Sequence, residues 1–75
     1  MGAVMKWQIR YSYAERPNDS QLYDAYTTRT RARATLARLA ARYASQYGDR
    51  HVRYLTPDNI VIAGRTGFDI VKRSS

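Results

Sequence analysis

From Val4 to Tyr13 apolar and polar residues alternate: Met5, Trp7, Ile9, Tyr11 and Tyr13 fall on one side, and Lys6, Gln8, Arg10 and Ser12 on the other. A period of two marks a strand buried on one face, so this segment predicts a first β-strand. Glu15-Arg16-Pro17-Asn18-Asp19-Ser20 follows. Pro fixes φ there, and Asn and Asp bond their own backbone, which predicts a turn where the chain doubles back. Gln21 to Thr28 is again rich in aromatic and β-branched residues and predicts a second strand in a hairpin with the first, although Asp24 falls on the side of Leu22 and Tyr26.

The period then changes. Ala32, Leu36, Leu39, Ala40, Tyr43 and Tyr47 recur at three- and four-residue spacing between Thr30 and Tyr47, with alanine filling the gaps. This predicts an amphipathic helix with Thr30 as N-cap and Gly48 just past its end. Three short apolar segments come next, His51 to Leu55, Asn59 to Ala63 and Phe68 to Lys72, separated by Thr56-Pro57-Asp58 and by Gly64-Arg65-Thr66-Gly67. They predict a meander of antiparallel strands, with Ile60-Val61-Ile62, apolar on both faces, as an interior strand.

The sum is an α+β, two-layer sandwich of order ββαβββ, one antiparallel sheet with a single helix packed on one face. The other face is left open, with Lys6, Gln8, Arg10 and Ser12 on it, joined by Arg53 and by His51. Tyr11, Tyr43 and Tyr54 are expected in the core. A chain of 75 residues holds one domain, with an ordered core over 3–72 and a frayed tail at Arg73-Ser74-Ser75. So small a core has a thin margin of stability, and the absence of cysteine removes the disulfide staple.

Charge changes the picture from fold to partner. Thirteen basic residues face six acids, for a net charge of +7. Eleven of the thirteen are Arg, the side chain that offers a planar fork of donors to phosphate and stacks on flat rings. On a helical wheel Arg31, Arg38 and Arg42 fall within about 40° of one another, on the side away from Leu36 and Tyr43, while Arg29 and Arg33 flank the buried stripe. Such a ridge can lie along a phosphate backbone. Thr27-Thr28-Arg29-Thr30-Arg31 adds hydroxyls, guanidinium groups and free N–H groups at a helix start, the chemistry of an anion site. Cations there oppose the helix dipole, so something negative is expected beside them.

Catalytic chemistry finds little to work with. The acids are scattered, there is one histidine, and no phosphate loop, nucleophile elbow or pair of metal ligands occurs. His51 is expected as a surface residue, and a small ribonuclease built on Arg, Tyr and His is the enzyme alternative. No cofactor is expected. Seven tyrosines are too many to bury with their hydroxyls satisfied, and exposed tyrosine beside arginine suits either a stacking platform for single strands or a protein-binding hot spot.

The expectation is therefore a non-enzymatic binding protein. Nucleic acid is the first partner, held by Arg29, Thr30, Arg31, Arg33, Arg38 and Arg42 on the helix and by Arg10 and Arg53 on the sheet. The alternative is a small phage or mobile-element type of protein that docks on an acidic surface of a host protein. Exposed sheet edges also suggest a homodimer. No apolar run approaches the roughly 18 residues that span a bilayer, so no membrane partner and a cytoplasmic location are expected. Lys6 breaks the myristoylation pattern at Gly2, and Met5 is an alternative start to Met1.

Overall fold

The computed structural model describes residues 4–73; residues 1–3, with Met1 and Gly2 among them, and Ser74 and Ser75 of the expected frayed tail fall outside them. The elements are β1 (Trp7–Tyr13), β2 (Arg16–Tyr26), α1 (Arg29–Tyr47), a 3-10 turn at Asp49–His51, β3 (Val52–Thr56), β4 (Asn59–Ile62) and β5 (Thr66–Lys72). All five strands join one antiparallel sheet in the order β2-β1-β5-β4-β3. The chain is thus an α+β, ββαβββ two-layer sandwich with α1 on one face.

The alternation in β1 seats Ile9 at the centre, flanked by Trp7 and Tyr11. From the other strands Ile60, Ile62, Phe68 and Ile70 join it, and α1 lays Ala32, Leu36, Leu39 and Ala40 on top. Ile9, Leu36 and Ile60 are fully enclosed and form the keystone of the core. Burying each such side chain contributes roughly 1.5–3 kcal/mol relative to leaving it in water. The helix starts where Thr28, extended at φ −133°, accepts a hydrogen bond from the Arg31 N–H, and it stops at Gly48, whose φ of +99° a β-carbon would strain.

Several expectations are corrected. The strand predicted from Val4 starts at Trp7. The turn predicted over Glu15–Ser20 is instead a two-residue connection at Ala14-Glu15, and Pro17, Asn18, Asp19 and Ser20 lie inside β2. Their turn chemistry is spent on an irregularity: the three residues of β1 from Tyr11 to Tyr13 face the span from Gln21 back to Arg16. β2 is an edge strand, so Pro17 needs no ladder partner on its outer side. A second register shift lies between Leu22 and Asp24, and it takes Leu22 rather than Asp24 off the side of Tyr26, with Asp24 exposed at the sheet edge. Asp24 pairs with Ile9 on the helix side, whereas Leu22 pairs with Arg10 on the other.

β2 ends at Tyr26, so Thr28 rather than Thr30 caps the helix. Tyr54, expected in the core, is 51% exposed on β3, the edge strand at the far side of the sheet from β2. Tyr47, on the predicted buried stripe, is 50% exposed at the last helical position. His51 sits in the 3-10 turn and not on the open sheet face. Among the described residues no helix is long and apolar enough to cross a membrane.

Candidate nucleic-acid interface

The helix arginines divide into two groups. Arg29 and Arg33, on the flank toward the β3–β4 turn, both donate to Asp58: Arg29 to one carboxylate oxygen through Nε and Nη2, and Arg33 to the other through Nε at 2.7 Å. Arg29 also lies over the Trp7 ring at 5.6 Å from its centroid, with Lys72 at 5.8 Å from the same centroid. The first turn of α1 carries no acid of its own. Asp58 therefore brings a negative charge from the β3–β4 turn to the cations of the helix start, where they would otherwise oppose the dipole.

Those hydrogen bonds, Arg29 foremost, hold the Asp58 carboxyl below the ordinary carboxylate range. A depressed folded pKa gives stability that is in place above the unfolded value near 4 and is lost as pH falls through the lower folded value. Solvent reaches almost half of each arginine side chain, so the contribution is on the order of 1 kcal/mol or less. Replacing Asp58 by Asn is expected to lower the urea midpoint at neutral pH, with the difference from the parent fading as pH drops below about 4. The same change frees Arg29 and Arg33, so affinity for a polyanion is expected to rise several-fold. A variant equal to the parent in both respects contradicts this pairing.

Arg31, Arg38 and Arg42 stand apart. All three are exposed, and among the described residues none makes a salt bridge. Arg38 is close enough to Tyr26 of β2 to favour its ionised form. Burial nevertheless dominates there and pushes the Tyr26 phenol upward, its hydroxyl enclosed without a well-formed hydrogen bond. Thr30 is exposed and leaves the capping to Thr28.

The two sheet arginines behave differently from each other. Arg10 is half-buried and donates from Nε to Ser20 Oγ (3.1 Å), from Nη2 to the Ser20 carbonyl (3.0 Å) and from Nη1 to Gln8 Oε1 (3.3 Å). It ties the irregular part of β2 to β1. Arg53 is exposed on edge strand β3, opposite Val61. The structure therefore gathers three of the eight residues singled out from sequence into one unpaired line, engages Arg10, Arg29 and Arg33 within the chain, and leaves Thr30 and Arg53 exposed outside that line.

A feature no periodicity could reveal lies at the C-terminal end of the helix. Tyr11 and Tyr13 of β1, Tyr23 of β2, Tyr43 and Tyr47 of α1, and Phe68 of β5 line an open cleft of about 670 Å³. Tyr43 and Tyr47 are stacked at 10°, and Tyr11, Tyr23 and Tyr43 each lie about 6 Å from Phe68, centroid to centroid. The charged groups in its lining are Glu15 and Arg65. Arg65 is delivered by a tight turn in which Ala63 (φ 52°) and Gly64 (φ 65°) are both left-handed and the Arg65 N–H bonds the Ile62 carbonyl. Two left-handed residues in succession are what a tight hairpin turn between β4 and β5 requires, and the non-glycine Ala63 costs roughly 1 kcal/mol there.

Among the described residues no cluster of three or more His, Cys, Asp or Glu side chains gathers as a metal site would require. Compared with protein-family models, with curated proteins and with solved structures, the chain matches none.

Proposed function

We propose that this protein binds nucleic acid and does so through Arg31, Arg38 and Arg42. The observation that carries the reading is that these three guanidinium groups share one helix flank and that, among the described residues, no acid is paired to them, in a chain of net charge +7. From the first to the last they span about 16 Å of helix axis at 1.5 Å per residue. A line of like charge that long suits an extended polyanion better than a single carboxylate. Each phosphate it neutralises releases a condensed counterion, which supplies affinity without reading sequence. An acidic protein surface would draw on the same charges, and it is the outcome indicated if nucleic acid fails to bind.

The reading is tested by titrating the protein against a labelled oligonucleotide at two ionic strengths. Affinity is expected to fall by about an order of magnitude or more between about 50 and 200 mM salt for three phosphate contacts. No binding at the lower salt, or binding indifferent to salt, overturns it.

A further inference from the structure

We propose that the tyrosine cleft receives an unpaired nucleobase, which makes the protein selective for single-stranded over duplex nucleic acid. This deepens the phosphate-binding reading and rests on it for the strand that carries the base. Three observations bear on the occupant. The walls are aromatic rings from β1, β2, α1 and β5, and Tyr13 and Tyr47 leave half of their surface to solvent, so flat faces are on offer to a flat guest. Every base has such a face whatever its identity, and stacking on tyrosine is tolerant of sequence.

The second observation is charge. Arg65 lines the cleft together with Glu15, and among the described residues it makes no salt bridge. Arg42 directly precedes Tyr43 on the helix, and Arg38 neighbours Tyr26, three residues along β2 from Tyr23. A ring joined to an anion, as in a nucleotide, matches both the walls and the cations around them. A proline-rich peptide would match the walls alone. A second copy of the chain would bring a further charge of +7 against the same sign.

The third is access. Bases in a duplex are stacked and paired, so presenting a ring to the cleft costs a few kcal/mol of unstacking that a single strand does not incur. The cleft lies on the same side of the sheet as α1, because Tyr11 and Phe68 pair on the face that carries the core. One strand can therefore run from the arginine line toward the cleft.

The test uses the intact protein, an oligo-dT strand of about 15 nucleotides, an oligo-rU strand of the same length and a duplex of the same length. Replacing both Tyr13 and Tyr47 by Ala is expected to weaken single-strand binding roughly tenfold while leaving duplex affinity unchanged. Replacing both by Phe is expected to restore it, since stacking needs the ring and not the hydroxyl. Half of each ring is buried and each packs on a neighbouring tyrosine, so the alanine variant is expected to melt lower than the parent; its unchanged duplex affinity, with a cooperative transition above the assay temperature, excludes loss of fold as the cause.

Undiminished single-strand binding by the alanine variant, or equal loss on strand and duplex, overturns the cleft proposal and leaves the arginine reading intact. Should neither strand bind the parent, the arginine reading fails, and adenosine monophosphate then tests the cleft alone. Shifts of the tyrosine ring resonances on its addition support base binding, and their absence refutes it. A dimeric mass of the parent that the alanine variant loses assigns the cleft to a second copy and overturns the proposal.

Discussion

Replacing Leu36 by Ala is expected to cost about 3–5 kcal/mol and to leave little or no cooperative unfolding transition at 37 °C. Leu36 is fully enclosed between α1 and the sheet, and truncating such a residue loses its transfer free energy and opens a cavity besides. A domain of this size has only about 3–5 kcal/mol to lose from a single core, without disulfides to add to it. Each kcal/mol shifts the melting temperature by roughly 4–8 °C at this length, so the transition falls by tens of degrees or disappears. Circular dichroism against temperature checks it. Leu55→Ala is the control: Leu55 is 60% exposed on β3, and its truncation is expected to change stability by less than about 0.5 kcal/mol. A Leu36→Ala protein as stable as the parent contradicts the seating of the helix described above.

The second large effect concerns binding alone. Replacing Arg31, Arg38 and Arg42 together by Ala is expected to reduce nucleic-acid affinity at low salt on the order of 100-fold. The fold is expected to survive, because all three are exposed, none makes a salt bridge among the described residues, and Ala is the better helix former. Arg29 and Arg33 make the informative comparison. Replacing them is expected to lower stability through Asp58 while changing affinity far less, because their donors are already committed within the chain. Two sets of helix arginines with opposite phenotypes separate a structural role from a binding one. Calorimetric unfolding and an anisotropy titration on the same samples read both.

What the sequence made legible follows from period and from local chemistry. The alternation of Trp7, Ile9 and Tyr11 required a strand with one buried face, and the spacing of Ala32, Leu36, Leu39 and Ala40 required a helix; both are in place. Thr56-Pro57-Asp58 and the segment around Gly64 separated three strands that do pair as a meander. Where local chemistry misled, tertiary context had another use for it. Pro17 to Ser20 carried every mark of a turn, yet the chain reverses at Ala14-Glu15, and those residues are absorbed by an irregular edge strand pinned through Ser20 to Arg10.

The candidate site was readable only in part for the same reason. A helical wheel places Arg31, Arg38 and Arg42 in line, because their alignment depends on the helix alone. It cannot show that Asp58 engages Arg29 and Arg33, since those contacts cross 29 and 25 residues of chain. The expectation of a negative group at the helix start was sound in its electrostatics, and the chain supplies one in Asp58. The tyrosine cleft draws on β1, β2, α1 and β5 together, and no pattern within a single segment brings those rings to one place. A surplus of tyrosine over what the core can bury was the one signal of it.

On the proposed function, the unpaired arginine line recruits a polyanion by releasing its counterions. The most direct measurement is the slope of the logarithm of the binding constant against the logarithm of salt concentration, for the parent and for the Arg31, Arg38 and Arg42 alanine variant. A slope shallower by about 2–3 is expected in the variant, close to one for each phosphate contact removed. Equal slopes in the two proteins would contradict it.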